Sequence, residues 1–207
     1  TGAGGGSGMS TIRILRETTD YTIIAADCNL NSPGMQLAHE KIVIPRADSV
    51  FFTDFIKSII EDHDIDVVLP NVDEELPIFS KNQADMPTVL VCPHSTIEIC
   101  NNKRKTAETL ADIIPVPTLF VEVDCEQFPV IVKPDVSRGS RNIFKADNHL
   151  QLVSILDYLD SIGIHSDNRS IWEHLPGDEY TVDCLFDLGG SLIVAVPRRR
   201  ISTTGGI

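Results

Sequence analysis

Apolar and polar positions along residues 1–94 predict strands and helices in turn. Apolar residues recur at helical spacing in STIRILRET and again in SVFFTDFIKSIIEDHD, where Ser49 is a candidate N-cap. Four short, nearly continuous apolar runs, YTIIAADCN, KIVIP, IDVVLP and TVLVCPH, predict strands between the helical stretches. Buried strands separated by helices are typical of a parallel sheet covered on both faces. We therefore predict an α/β, Rossmann-like first domain over residues 1–94.

The pattern changes in the second half of the chain. Residues 95–112 predict a linking helix with a basic interruption, which the prolines of IPVPTLF end. FPVIVKP and RNIFKAD predict an antiparallel hairpin, and NHLQLVSILDYLDSIG predicts a helix with Asn148 as N-cap and Gly163 near its end. The DLGG turn predicts a second hairpin, between YTVDCLF and LIVAVPRRR. Residues 113–207 are therefore predicted to be an α+β domain.

Charge and cysteine content narrow the possible partners. The 207 residues carry a formal net charge of −13, and the sequence pI is about 4.7. Such an acidic chain is a poor match for nucleic acid or an anionic membrane. No apolar stretch approaches the roughly 20 residues that cross a bilayer. The five cysteines are widely spaced and form no CxxC pair, so we expect a reducing, cytoplasmic location.

The glycine-rich stretch TGAGGGSG, residues 1–8, is one candidate nucleotide site. It fits the TGxxxGxG fingerprint of short-chain dehydrogenases, with Asp27 placed to hold an adenosine ribose. However, no tyrosine is followed four residues later by the lysine that those dehydrogenases use for proton transfer. A nicotinamide-dependent oxidoreductase therefore stays an alternative. The other interpretations of the stretch are a tight strand-to-helix turn and a small-substrate site.

The basic loop in KPDVSRGSRN is the second candidate. Lys133 ends a predicted strand, and Arg138 and Arg141 follow among small residues. Small residues at a hairpin tip can offer backbone N–H groups to phosphates, and arginine adds forked donors. A solvated basic turn is the alternative.

A third stretch, IWEHLPGDEYTVD, places carboxylates on both sides of a bend. The main chain from Glu173 to Leu175 could contact an adenine, and the carboxylate of Glu179 could bind a ribose diol. A strand bend with solvated acidic residues is the alternative. No Ser-His-Asp or Cys-His set and no metal-ligand spacing of histidines occurs in the sequence.

Taken together, NNKRKTAETLADIIPVP, FPVIVKPDVSRGSRNI and WEHLPGDEYTVDCLFD resemble the ATP-grasp superfamily. The similarity is to the branch of the carbamoyl phosphate synthase large subunit and its stand-alone relatives. The three motifs occur in that family's order after a Rossmann-like preamble, so the resemblance covers nearly the whole chain. It implies a small flap subdomain at residues 113–170 and the start of a large subdomain at residues 171–207.

The resemblance also implies roles for individual residues. Lys103 would contact the α-phosphate side, and Lys133 would bridge the α- and β-phosphates. A flexible loop comprising Arg138, Gly139 and Ser140 would close over the β- and γ-phosphates. Glu173 and Leu175 would contact adenine, Glu179 the ribose, and Arg198 and Arg200 would border the phosphoryl site. Lys133, Arg138 and Arg200 are the catalytic candidates, and the acceptor-substrate candidates are Gly4, Gly8, Asn71 and Asp73.

The activity that the resemblance implies is that of an ATP-dependent carboxylate–amine ligase, similar to carbamoyl phosphate synthase. ATP and Mg²⁺ are the expected cofactors, with the magnesium ligands expected beyond Ile207, so residues 1–207 alone should bind nucleotide weakly and be inactive. The expected partners are ATP and a small carboxylate and amine, and homo-oligomerisation is left open. A non-catalytic nucleotide-binding module remains a further alternative.

Overall fold

The computed structural model describes residues 1–121, 127–137, 139 and 141–201. Arg138 and Ser140, two of the predicted phosphate ligands, lie outside the described residues. The chain divides into two compact units, Thr1–Glu98 and Ile99–Ile207. In the part of the chain that is described, no helix is both long enough and apolar enough to span a membrane.

The sheet of the first unit is built on parallel strands. Strand β1 (Ile24–Asp27) pairs in parallel with β2 (Glu40–Val43). The runs IDVVLP and TVLVCPH were expected to add two full strands, but among the described residues they form a single parallel bridge, Val68↔Val89. Pro70 and Pro87 flank this bridge, and proline has no N–H to extend a ladder.

Three helices follow the apolar periodicity of the first unit, and they are α1 (Gly6–Thr18), α2 (Phe52–Asp62) and α3 (Leu76–Lys81). The prediction of Ser49 as the N-cap of α2 is wrong, because the helix begins at Phe52. Ser49 instead stabilises the preceding turn, where its carbonyl accepts from Phe52 N at 3.1 Å. The buried apolar side chains form two clusters: Ile44, Phe52, Ile56, Phe79, Met86 and Val89 in one, and Ala3, Ile12, Ile23, Ala25 and Met35 in the other.

The linking helix predicted over residues 95–112 is divided in the structure, next to its basic interruption. The structure has two helices, α4 (His94–Asn101) and α5 (Lys103–Leu110). Asn102 separates them, since its backbone is extended and its side chain accepts from Lys105 N at 3.0 Å. Asparagine favours this N-cap position because its oxygen satisfies an N–H that the helix leaves without a partner.

The second unit contains a four-stranded antiparallel sheet in the order β3 (Leu119–Phe120), β6 (Arg169–Glu173), β4 (Val130–Pro134) and β5 (Phe144–Ala146). The predicted hairpin of β4 and β5 is confirmed. Helix α6 (His149–Ser161) packs on one face of this sheet. Its predicted N-cap, Asn148, accepts from Gln151 N at 3.0 Å, and Gly163 follows its end with φ +81°.

The core of this sheet lies between its strands and α6. It consists of Val130, Val132, Ala146, Leu152, Leu159 and Ile171, all almost fully buried. The second predicted hairpin is also confirmed, as β7 (Tyr180–Phe186) and β8 (Leu192–Arg199) pair in antiparallel register through the DLGG turn. Side chains on both faces of that hairpin are largely exposed.

Candidate functional site

Strand β4 presents Lys133 on the face of the sheet opposite the core. Val130 and Val132 are fully buried against α6, so the alternating residues Ile131 and Lys133 point to the other side. Register places Ile131 opposite Trp172 and Lys133 opposite Ser170 on β6. Lys133 and Trp172 are therefore diagonal neighbours on one face of the sheet.

The ammonium group of Lys133 is partly removed from water. Its Nζ lies 5.0 Å from the centroid of the Trp172 ring, within cation–π range. Burial lowers the pKa of Lys133 below its usual value, while the negative charges of Asp135 and Glu179 oppose that shift. A poorly hydrated cation is well suited to binding an anionic ligand, because less water must be displaced when the ligand arrives.

The loop between β4 and β5 begins immediately after Lys133 and Pro134. Lys103, the first residue of α5, donates from Nζ to both the carbonyl oxygen and the Oγ of Ser137, each at 3.0 Å. Gly139 is exposed in a left-handed conformation, φ +60°, as a tight turn requires. The structure thus attaches the predicted α-phosphate lysine to the first part of the predicted phosphate loop.

Asp135 is a central residue of this region that sequence reasoning missed. Its side chain is buried and accepts hydrogen bonds from Arg104 Nε at 3.0 Å and from Ser170 Oγ. Its backbone N donates to Asn168 O at 3.0 Å, and its carbonyl accepts from Lys103 N at 2.9 Å. One residue therefore links α5, β4 and β6. The only signal in the sequence was a carboxylate directly after the Lys-Pro pair.

Glu173, predicted to contribute to an adenine site, has a carboxylate that is already engaged. Its Oε2 accepts from Thr118 N at 3.0 Å and from Thr118 Oγ1 at 2.9 Å, and these bonds lower the pKa of Glu173. The exposed Leu175 follows two residues later, beyond the end of β6. The main chain between these residues is the part that a ligand could still contact.

Glu179 and Arg200, predicted as the ribose acid and a catalytic residue, are brought together at the open end of the second hairpin. The Glu179 carboxylate accepts from Arg200 Nη1, and Arg200 N donates to Glu179 O at 2.8 Å. Two further arginines on β8 are paired in the same way, Arg198 with Asp183 and Arg199 with Asp178. The structure therefore places Arg200 in an ion pair with another predicted site residue.

In the first unit, the glycine stretch is occupied by the protein's own groups. Gly4 N donates to Asp27 Oδ2 at 2.7 Å, and Asn29 N donates to Asp27 Oδ1 at 2.9 Å. Burial opposes ionisation of Asp27, but these backbone bonds, with side-chain bonds from Ser32 and Cys28, lower its pKa overall. The Asp27 carboxylate, predicted to hold a ribose, thus accepts a hydrogen bond from Gly4 N, a donor that the phosphate of a dinucleotide would need. This contact weighs against the oxidoreductase alternative.

Close packing accounts for Gly8, another acceptor-substrate candidate. A Cβ on Gly8 would lie 2.2 Å from the carbonyl oxygen of Gly2, which no side chain could tolerate without movement. Asn71 accepts from Ser7 Oγ at 2.8 Å and donates to the carbonyls of Thr1 and Leu69, so it joins the glycine stretch to the chain after residue 68. Asp73 is exposed in the turn that precedes α3.

The first unit also contains an apolar cavity of about 690 Å³ beneath α1 and α2. Gly8 and Asn71 contribute to its wall, but most of the lining is aliphatic, and the lining residues include no lysine or arginine. A mostly aliphatic lining of this kind does not favour a phosphate. Across residues 1–121, 127–137, 139 and 141–201, no three His, Cys, Asp or Glu side chains converge as a metal site would require.

The matches to family models divide the chain at nearly the same place as the boundary between its two compact units. Residues 3–91 match the model of the PylC-like N-terminal domain, and residues 100–206 match the model of the ATP-grasp domain. The second match spans more than half of the chain. Together the two matches confirm the predicted fold class, an α/β domain followed by an α+β domain.

Solved structures with the same fold come from several enzymes. The biotin carboxylase domain of Hydrogenobacter thermophilus 2-oxoglutarate carboxylase, solved with MgADP and bicarbonate, has a TM-score of 0.68 at 16% identity, covering 89% of this chain and 46% of its own. N5-carboxyaminoimidazole ribonucleotide synthetase from Thermotoga maritima has 0.67 at 21%, covering 92% and 49%. L-amino acid ligase from Bacillus licheniformis has 0.64 at 17%, covering 89% and 45%. This chain thus spans about half the length of each, and the likeness is one of fold.

Proposed function

The chain belongs to the ATP-grasp family, and from that premise we propose that it binds ATP on the face of the β3–β6–β4–β5 sheet that carries Lys133. The observation that carries the proposal is the poorly hydrated Lys133 ammonium over Trp172, with Lys103 tied to the loop that follows β4. In the apolar surroundings of a partly buried site, a fixed cation stabilises phosphate oxygens far more than it would in water.

In this proposal each group of residues contacts a different part of the nucleotide. Lys103 and Lys133 neutralise the α- and β-phosphates, and Arg138, Gly139 and Ser140 cover the β- and γ-phosphates. The main chain from Glu173 to Leu175 contacts adenine. Glu179 accepts hydrogen bonds from the ribose hydroxyls, and Arg200 borders the phosphoryl group that is transferred. Support comes from the position of Lys133 opposite the core and from the electrostatic influence of Glu179 on Lys133.

The reaction proposed for the whole protein is ATP-dependent activation of a carboxylate. A carboxylate oxygen forms a bond to the γ-phosphorus while the bond from that phosphorus to the β,γ-bridging oxygen breaks, which yields an acyl phosphate and ADP. The nitrogen of an amine or ammonia then bonds to the carbonyl carbon, phosphate leaves, and the nitrogen loses a proton to solvent. This chemistry needs positioning and charge neutralisation rather than a side-chain nucleophile.

The acceptor substrate is proposed to involve the first unit through Gly4, Gly8, Asn71 and Asp73. A carbamoyl phosphate synthase-like specificity remains one prediction for it. A carboxylase domain solved with bicarbonate and an L-amino acid ligase share this fold, so a small carboxylate or amino acid fits the proposal equally well. In the part of the chain that the structure describes, no three His, Cys, Asp or Glu side chains come together to hold a metal ion. We therefore assign none of these side chains to Mg²⁺.

Nucleotide binding can be measured through Trp172, which is the only tryptophan of the chain. Titration with MgATP should change its fluorescence, because phosphates that engage Lys133 disturb the cation above the ring. Ligand at about 100 times its dissociation constant should also stabilise the chain by about 2.7 kcal/mol. In Lys133→Met, loss of a charge-assisted contact of about 1.5–3 kcal/mol should weaken binding roughly 10- to 150-fold.

The control is Lys57→Met, which removes a half-buried lysine paired with Asp85 in the first unit and should leave MgATP binding unchanged. A parallel titration with NADH distinguishes the alternative. Stabilisation by NADH alone, or equal MgATP binding by the wild type and Lys133→Met, would contradict the proposed nucleotide site.

A further inference from the structure

The two lysines that face the proposed phosphates do not belong to one element. Lys133 lies on β4, whereas Lys103 opens α5, about 30 residues earlier in the chain. For both cations to act on one polyphosphate, α5 must be held at a fixed position relative to the end of β4. Displacement by even an ångström weakens such an arrangement, because hydrogen bonds to phosphate oxygens are short and directional.

Asp135 makes the contacts that fix this position. Its carbonyl oxygen accepts from the backbone N of Lys103 at 2.9 Å, and its carboxylate accepts from Arg104 Nε at 3.0 Å. Arg104 also donates from Nη2 to the carbonyl of Arg169 at 2.7 Å, at the start of β6. The first turn of α5 is therefore attached to both central strands of the sheet.

Asp135 is 4% exposed, and both oxygens of its carboxylate accept hydrogen bonds, Oδ1 from Ser170 Oγ and Oδ2 from Arg104 Nε. A buried carboxylate is retained only where its charge is compensated. Arg104 supplies that compensation. Asp135 lies two residues after Lys133, so its charge also favours the ammonium form of that lysine against the effect of burial.

We propose that Asp135, acting with Arg104, is a positioning residue that holds Lys103 and Lys133 together as a two-cation receptor for the polyphosphate of a nucleotide. The inference rests on the proposed function and extends it, because neither Asp135 nor Arg104 need touch the ligand. It predicts that the pair contributes to recognition of phosphate groups and not to recognition of the nucleoside.

The test compares ADP with adenosine in calorimetric titrations of the 207-residue chain. Asp135→Asn keeps the shape of the side chain but removes the negative charge that pairs with Arg104. We expect its affinity for ADP to fall about 10-fold or more while its affinity for adenosine stays within about 2-fold of the wild type. Arg104→Met, at a partly exposed position, should reproduce this change and provides a second variant if Asp135→Asn folds poorly.

Asp147→Asn is the matched control, since it removes an exposed carboxylate paired with Lys145 in the same unit. The ratio of ADP to adenosine affinity should be unchanged in this variant. A purely structural role for Asp135 would lower both affinities together and leave the ratio of ADP to adenosine affinity unchanged. An unchanged ratio, with or without weaker binding, overturns the inference but does not contradict the proposed function. A wild-type chain with no preference for ADP over adenosine overturns the proposed function, and the inference then falls with it.

Discussion

Replacing Leu159 by alanine should remove a large part of the stability of the second unit. Leu159 lies on α6, is 0% exposed, and packs in the cluster that supports β4 from behind. The change deletes three carbons, which at about 0.8 kcal/mol per methylene costs about 2.4 kcal/mol in transfer free energy. The cavity left in a close-packed core raises the expected loss to about 2.7–5 kcal/mol.

The same helix provides a matched control in Leu150→Ala. Leu150 is 78% exposed, so about a fifth of its surface is buried and its truncation should cost roughly 0.5 kcal/mol. Both variants make the same exchange in one helix, so the small difference in helix propensity between leucine and alanine affects both in the same direction. The difference between them therefore reports packing.

Urea unfolding followed by Trp172 fluorescence measures the effect, because Trp172 is 3% exposed on β6 and reports on the unit that contains α6. A domain of ordinary stability, about 5–15 kcal/mol, would lose about a fifth or more of its free energy of unfolding in Leu159→Ala. A difference of less than about 1 kcal/mol between the two variants would refute the assignment of this cluster as the core behind β4.

Two further predictions concern the first unit. Gly8→Ala should lower the free energy of unfolding by about 1–3 kcal/mol, because the added Cβ would lie 2.2 Å from Gly2 O. The control is Gly6→Ala on the same helix, where the added Cβ would have no atom within 4 Å and the change should be neutral or slightly stabilising. Equal melting temperatures of the two variants would contradict this prediction. Burial raises the pKa of Glu75 above its ordinary 4.5, so its folded form binds more protons than the unfolded chain and the free energy of unfolding falls as pH rises through that raised pKa. Glu75→Gln cannot ionise, so its melting temperature should rise relative to wild type from about pH 5 to about pH 8, and a constant difference would exclude this role.

Features governed by local chemistry were predictable from the sequence. The DLGG turn and the Asn148 cap each act within a few residues, and the structure confirms the two hairpins and the start of α6. Asn102 was ambiguous, since it can continue a helix or cap the next one, and the local pattern does not decide between these.

Features governed by distant partners were not predictable. Asp135 looked like one more polar loop residue, because its importance depends on Arg104, 31 residues away, and on Ser170, 35 residues away. Likewise, the pairing of Arg200 with Glu179 joins residues from separate motifs that the sequence had assigned to different parts of a ligand. The prediction of full strands around Val68 and Val89 was wrong for a different reason. Both segments are apolar, but the prolines beside them limit the hydrogen-bonded ladder to a single bridge.

The three ion pairs on the second hairpin affect how an anion would approach this protein. Arg198, Arg199 and Arg200 are each matched with a carboxylate, so at a distance they add little positive potential to a chain whose net charge is −13. A nucleotide diffusing toward the proposed site would therefore meet a repulsive field and be attracted by the cations only at close range. Added salt shortens the range of that repulsion to about 8–10 Å, so capture of an anionic ligand would be slowest in dilute buffer.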